Sequence, residues 1–154
     1  LSPHFYLFLH TRFHQHKTKT KTKHMQLIDN ELLNQVSAAA GKSPRLRMNH
    51  NFHPSPDSGA QRLLNAVEPG TELAIHRHLH TAETYLLLRG KIKVIFYNDR
   101  KEITESALLD PLQGQYGINI PAGQWHTLEV LEKGSVIFEV KDGPYTPLTP
   151  ENIL

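Results

Sequence analysis

The chain contains 154 residues, ten prolines and no cysteine, and it carries a formal net charge of +2 at pH 7. A chain of this length predicts one domain with its own core and is too short for two ordinary domains. The lack of cysteine excludes disulfide bonds and thiolate metal ligands, and no apolar run approaches the ~18 residues of a membrane-spanning helix.

The basic residues are concentrated at the start of the chain. Residues 1–24 contain five Lys or Arg residues and no acidic residue, so residues 25–154 hold 12 basic against 15 acidic residues and carry a formal charge of −3. Lys-Thr repeats predict a disordered segment, and the abrupt change in composition favours Met25 as the natural start. We therefore interpret residues 1–24 as an extension outside a domain at 25–154. Because that domain has no basic stripe, we expect no nucleic-acid partner.

The first predicted element is a short helix. Asp29 can cap it, and apolar residues recur at helical spacing up to Ala40, before Gly41 and Pro44 end it. A strand is then predicted within 45–53. Beyond it, alternation and turn residues predict eight further strands, at 61–67, 72–78, 83–89, 91–97, 102–109, 116–120, 125–131 and 135–141. This succession predicts an all-β, double-sheet jelly roll with a short N-terminal helix and a barrel core at about 61–141.

Three histidines and one glutamate have the spacing of a metal site. His76 and His78 are two residues apart, so both side chains point to the same face of a strand. Glu83 follows after room for a turn, and His126 lies on a distant strand after the turn at 121–123. Imidazoles and a carboxylate that converge from separate strands bind divalent cations. We predict that these four residues bind one divalent ion, and this donor set accepts Fe, Mn, Zn, Ni or Co.

Four protein ligands would leave two positions of an octahedron open to water or substrate, as is typical of catalytic metal sites. His80 continues the alternation of His76 and His78. It would face the metal in a straight strand, but it would lie at the rim if the chain begins to turn at Leu79. We favour the rim position, from which His80 could transfer protons near neutral pH.

Other polar residues are candidates for the substrate pocket. His53 is a candidate catalytic residue if its strand lies near the barrel mouth, and an edge-strand residue in water if it does not. Arg62 and Asn65, in the first barrel strand, could bind an anionic or hydroxylated ligand, or could serve structure alone. Trp125 is predicted to belong to the core or to a wall of the pocket.

Residues 70–90 resemble the first cupin motif, G-x5-H-x-H-x4-E-x6-G, at every fixed position. The centre of the second cupin motif is present as Pro121, Gly123 and His126, whereas Val130 replaces its final Asn. Among cupins, the chain is similar to the WbuC-type metalloproteins in segments that together cover most of residues 25–145: 47–53, 61–70, 76–78, 83–90, 120–126 and 138–145. Members of that family usually carry a longer, proline-rich insert where this chain has only residues 79–82.

The resemblance implies a metal-binding cupin double-stranded β-helix and an association with bacterial surface-polysaccharide gene clusters. Three functions are compatible with it. The first is an enzyme that acts on a sugar or sugar-derived molecule by isomerase- or epimerase-like proton transfer. The second is an iron-dependent dioxygenase, and the third is a non-catalytic module that binds carbohydrate or metal. We expect a homodimer, because pairing of two subunits covers exposed sheet edges. We also expect a cytoplasmic location, a carbohydrate-like ligand and no membrane partner.

Overall fold

A computed structural model describes residues 24–154 of the chain. The predicted disordered extension at 1–24 therefore lies, apart from its last residue, outside the described residues.

One helix and eight strands form the described part of the chain. The helix is α1 (Asn30–Lys42), and it precedes the first strand. The strands in chain order are β1 (Arg47–Asn51), β2 (Ala60–Val67), β3 (Glu83–Arg89), β4 (Ile92–Tyr97), β5 (Ile103–Leu109), β6 (Gly117–Ile120), β7 (Trp125–Val130) and β8 (Ser135–Asp142). Single-turn 3-10 helices lie at Pro111–Gln113 and Pro150–Asn152.

The strands form two antiparallel sheets. The larger sheet has the strand order β1-β2-β8-β3-β6, and the smaller has the order β5-β4-β7. Their inner faces enclose the main core, whose buried residues come from both sheets: Val67, Tyr85, Leu87, Ile92, Val94, Phe96, Leu109, Ile120, Leu128, Val130 and Ile137. The predicted all-β double-sheet architecture with a short N-terminal helix is therefore confirmed.

Helix α1 packs on the outer face of the larger sheet. The Asp29 side chain accepts a hydrogen bond from the Leu32 N–H at 3.0 Å, which satisfies one of the free donors of the first turn. The helix buries Leu33, Val36 and Ala40 in a second apolar cluster, against side chains from β2 and β8. The helix ends at Lys42, one residue beyond the predicted stop at Gly41.

The predicted strand at 72–78 is wrong. Only His76 in this segment makes β-bridges, to His126 and to Ile153. The neighbouring main-chain groups have other partners, since the Thr127 hydroxyl donates to the Leu73 carbonyl and the Arg77 N–H donates to the Asn152 carbonyl. A segment whose main chain is satisfied in this way has no need of a strand ladder. The other predicted strands agree with the structure to within two residues at their ends.

No helix within residues 24–154 is long and apolar enough to cross a membrane.

Candidate metal centre

His76 and His126 are brought together by their main chains. The N–H of each residue donates to the carbonyl of the other, at 3.0 and 2.9 Å. Residues paired in this way project their side chains to the same face of the sheet. The two imidazole centroids are accordingly 4.4 Å apart, and both side chains are buried. Gly123, in the left-handed region at φ 79°, makes the turn before β7, and its N–H donates to the His78 carbonyl at 2.8 Å.

Glu83 reaches the same point from the other sheet. It is the first residue of β3, where it pairs with Lys141 of β8 and Ile120 of β6. Its carboxylate is only 2% exposed. Oε2 lies 3.1 Å from His126 Nε2, and Oε1 lies 3.1 Å from His78 Nε2. The four residues that the sequence predicts as ligands thus meet around this carboxylate, and ligand atoms of His76, Glu83 and His126 all lie within 4.8 Å of one another.

The two buried imidazoles are oriented by main-chain carbonyls. His76 Nδ1 lies 3.0 Å from the Ala74 carbonyl, and His126 Nδ1 lies 2.9 Å from the Gln124 carbonyl. A carbonyl oxygen can only accept, so each Nδ1 must carry a proton, and Nε2 of the neutral ring carries the lone pair. Metal-binding histidines are commonly fixed by such a hydrogen bond from the second ring nitrogen.

The donor set fits a divalent cation. With Nδ1 protonated, the Nε2 lone pair of a neutral His126 faces the Glu83 carboxylate, which also accepts and does not donate. Two buried acceptors at 3.1 Å repel each other unless a proton or a cation lies between them. Two ligands about 2.1 Å from one ion and at right angles to each other are about 3 Å apart, which matches both distances from Glu83 to a histidine.

A second group of polar side chains surrounds Glu83. The Tyr85 hydroxyl donates to Oε2 at 3.0 Å, and Lys141 Nζ donates to Oε1 at 3.1 Å. Lys141 also donates to Glu139 at 3.3 Å, and Asn65 Nδ2 donates to the other oxygen of Glu139 at 3.4 Å. Each oxygen of Glu83 therefore contacts one imidazole and one of these donors.

Burial, hydrogen bonds and neighbouring charges together set the protonation of these groups in the metal-free protein. Burial, followed by repulsion from His126, lowers the pKa of His76 from 6.5 to about 4. Burial also raises the pKa of Glu83, but hydrogen bonds with His126 and His78 outweigh it and hold that pKa well below its usual value. Burial and repulsion from Glu83 raise the pKa of Glu139 from 4.5 to about 8. The cluster therefore contains neutral His76, ionised Glu83 and a Glu139 that is largely protonated near neutral pH.

Tyr85, Glu139 and Lys141 were not predicted from the sequence to belong to the site. Cross-strand pairing explains their position, since Glu83 pairs with Lys141 and Tyr85 pairs with Glu139. A signal was present in β8, where Ile137, Glu139 and Lys141 occupy alternate positions and so share the inner face with Glu83. Charged residues on the core-facing positions of a buried strand indicate a polar site.

A cavity of about 210 Å³ opens beside the cluster. It is lined by residues of the site and by β1 and the C-terminal segment, among them His76, His78, Glu83, Lys141, Asn65 and Tyr145. His80 is exposed at a bend and lines a separate neighbouring cavity, together with His78 and Lys141. His53 is buried and lines a third cavity, but its Nδ1 contacts the main chain of Arg62 at 3.0 and 3.1 Å, which is a structural contact.

The three predicted substrate-binding residues lie in different places. Asn65 lines the cavity beside Glu83. Arg62 is exposed on the opposite face of β2, because it is three residues from Asn65 in a strand. Trp125 is buried on the face of β7 opposite His126, where Nε1 donates to Asp99 at 2.8 Å and the Arg77 guanidinium lies 4.2 Å from its ring centroid. The structure therefore brings Asn65 to the cluster but neither Arg62 nor Trp125.

A family profile with the description "Domain of unknown function (DUF6016)" matches residues 28–109 of this chain, which is more than half of it. No curated protein matches the sequence.

Several solved structures share the fold. The Schizosaccharomyces pombe Cnp3 cupin domain has 11% identity and a TM-score of 0.50, over 62% of this chain and 64% of that one. The capsular polysaccharide assembling protein CapF from Staphylococcus aureus has 20% identity and a TM-score of 0.53, over 79% and 35%. A putative sugar phosphate isomerase from Acidithiobacillus ferrooxidans has 17% identity and a TM-score of 0.50, over 63% and 59%. This chain thus matches less than two thirds of each of these proteins, and the fold is that of a cupin.

Proposed function

The chain belongs to the family described as "Domain of unknown function (DUF6016)", and from the geometry of its site we propose that it is a metal-dependent enzyme that moves a proton on a small sugar-like molecule. Isomerisation or epimerisation beside a carbonyl is the reaction type. The metal ligands in this proposal are His76, His78, Glu83 and His126. The single observation that carries it is the cluster of buried imidazoles and one carboxylate, with both buried rings fixed through Nδ1.

A divalent cation held there would polarise a substrate carbonyl or hydroxyl, which makes a neighbouring proton easier to remove. The chain itself supplies groups that can accept or donate that proton. Glu139, Lys141 and Tyr85 line the same cavity as His76 and Glu83. Glu139 is the group that exchanges the proton, while Tyr85 and Lys141 donate hydrogen bonds to the Glu83 carboxylate and Lys141 also donates to Glu139.

The cavity supports a small ligand with hydroxyl groups. At about 210 Å³ it lies below the ~300–1,000 Å³ of drug-sized ligand pockets, which favours a monosaccharide over a longer chain. The Oδ1 of Asn65 is buried and accepts no hydrogen bond within residues 24–154, so a ligand hydroxyl can donate to it. CapF is named as a capsular polysaccharide assembling protein and the second structure as a putative sugar phosphate isomerase. We include a role in bacterial surface-polysaccharide metabolism in the proposal.

The predicted catalytic roles of His80 and His53 remain proposals. His80 borders a cavity that shares His78 and Lys141 with the site, so it can act only at the rim. The homodimer and the cytoplasmic location also remain predictions, and sedimentation at high micromolar concentration tests the first of them.

An iron-dependent dioxygenase is the second candidate. The observation that favours it is that two histidines and one carboxylate, His76, His126 and Glu83, form the most compact part of the cluster. Two histidines and one carboxylate on one face of the ion are the ligand set of non-haem iron oxygenases.

Metal analysis and two activity measurements test these functions. Protein purified without added metal is expected to contain close to one divalent ion per chain. Incubation with sugars in D₂O, followed by NMR, is expected to show exchange of carbon-bound protons. Dioxygen uptake by the iron-loaded protein, with no such exchange, would instead establish the second candidate. Bound metal with neither activity would leave a non-catalytic binding module.

A further inference from the structure

Two arginines line the cavity that contains the metal cluster. Arg45 precedes β1 and is exposed, whereas Arg47 is the first residue of β1 and is half-buried. Nη1 of Arg47 donates to the Glu72 carbonyl at 2.6 Å, which fixes the direction of the side chain. A guanidinium has five N–H donors, so this bond leaves others free to contact a ligand.

Neither arginine forms an ion pair in the part of the chain that the structure describes. Burial, followed by repulsion from the charge of Arg45, lowers the pKa of Arg47. Arginine nevertheless stays protonated in proteins. Two neighbouring cations without an acidic partner are an arrangement that an anion stabilises.

The charges of the cavity are separated by depth. Its acidic groups, Glu83 and Glu139, are buried, and Lys141 bridges them at 3.1 and 3.3 Å. The negative charge of the buried acidic groups is therefore balanced by Lys141. The positive charges of the two arginines, which lie nearer the solvent, have no such partner among the described residues. A ligand that enters this cavity meets positive charge at the mouth.

We propose that Arg45 and Arg47 form an anion-binding subsite, and that the substrate is a small sugar-like molecule with a carboxylate or phosphate group. This inference rests on the proposed function for the opposite end of the ligand, where the hydroxyl or carbonyl groups would lie beside Glu83. The guanidinium pair binds the anionic end and so selects the orientation in which the molecule enters. Carboxylate and phosphate oxygens both fit the fork of a guanidinium, and the experiment separates them.

Arg62 provides a matched control. Its sequence position made it a possible anion ligand, but it is exposed on the other face of β2 and does not line this cavity. Its replacement removes the same group from the same sheet without changing the subsite.

The test is titration calorimetry on the full chain with its metal content measured. Glucuronate carries a carboxylate, glucose 6-phosphate carries a phosphate, and glucose carries neither. We expect one of the anions to bind at least about tenfold more tightly than glucose, and to bind more weakly as ionic strength rises. Arg47→Ala should lower that affinity by about tenfold or more, Arg47→Lys by less, and Arg62→Ala not measurably.

Equal binding of glucose and the anions would overturn the inference. The same holds if Arg47→Ala binds the anion like the parent, or if neither anion binds at about 10 mM. The metal measurement separates this failure from failure of the proposed function. Anion binding that depends on Arg47, in a protein that contains no metal, would support the subsite and contradict the proposed metal-dependent function. Metal binding and proton exchange on neutral sugars, with no preference for anions, would remove only the subsite.

Discussion

The two faces of the larger sheet are built from the same strands but differ in chemistry. On the outer face, Val136 of β8 packs with Leu64 and helix α1 in an apolar cluster. On the inner face at the site end, the same strand presents Glu139 and Lys141. Burying charged groups costs stability unless they are paired, and apolar residues would fill this space at lower cost. The difference indicates that the outer face stabilises the fold. The inner face is less stabilising at the site end, because it holds the charged groups of the candidate metal centre.

The largest expected effect lies on the outer face. Leu64 of β2 is fully buried in the apolar cluster beneath α1. Leu64→Ala should therefore lower the free energy of unfolding by roughly 2–5 kcal/mol. Chemical denaturation measures this change. Metal stoichiometry of the folded variant should equal that of the parent, and loss of metal at equal foldedness would show that the two faces are coupled.

A substitution at the metal centre should instead lower metal binding and leave the fold intact. His126→Ala removes one donor from the cluster and should lower metal affinity by more than about 100-fold, beyond the usual effect of an outer-sphere change. The fold should remain, as circular dichroism would record.

His80→Ala is the matched control for this variant, because His80 is exposed and lies outside the cluster of His76, Glu83 and His126. It should keep its metal after the same purification. Loss of metal in His80→Ala together with full metal in His126→Ala would place the site in the local run of histidines instead.

Acid should destabilise the metal-free protein through His76. The pKa of His76 is about 4 in the folded protein and 6.5, the ordinary value, in the unfolded chain. Between these two pH values the unfolded chain therefore binds more protons than the folded protein. This contribution to stability is complete above pH 6.5 and is lost as pH falls toward 4. From about pH 7 to about pH 5 the loss should be roughly 2 kcal/mol. His76→Gln should show a correspondingly smaller decrease in denaturation midpoint over this range.

The smallest effect on stability is expected at Glu139. Near pH 7 a carboxyl with a pKa of about 8 is mostly protonated, and an amide has nearly the same shape. Glu139→Gln should therefore change the free energy of unfolding by less than about 1 kcal/mol, because the amide is neutral like the protonated carboxyl and its oxygen can still accept from Lys141. Proton exchange on the substrate should fall by at least about 100-fold. A loss of more than about 2 kcal/mol would show that an ionised pair with Lys141 stabilises this face.

Much of the fold was predictable because its signals are local. The alternation in β4 and β7 and the cap at Asp29 need only a few neighbouring residues, and both are confirmed. The convergence of Glu83 and His126 was predictable from spacing and from the turn at Gly123. The strand predicted at 72–78 failed because its main chain is satisfied by distant partners, including Asn152, and no local pattern records them.

The wall of the cavity was harder to predict. Arg47 and Arg62 both lie in predicted strands. For β2, only the register against β8 shows which side chains face the core. In β2, Arg62 pairs with Val140 on the outer face, whereas Asn65 pairs with Ile137 on the inner face. A shift of one residue in that register would exchange the two faces. Tyr85 was likewise without an assigned role until its pairing with Glu139 was known.

The bridge between His76 and Ile153 connects the candidate metal centre to a distant segment of the chain. The Ile75 carbonyl accepts from the Leu154 N–H, and Arg77 is held by Asn152, so both neighbours of His76 are fixed by residues near position 154. These contacts join residues 75–77 to residues 152–154, which follow the last strand of the two sheets. Detachment of residues 152–154 would therefore leave the main chain of His76 held by its pairing with His126 alone, so the metal affinity should depend on a segment outside both sheets.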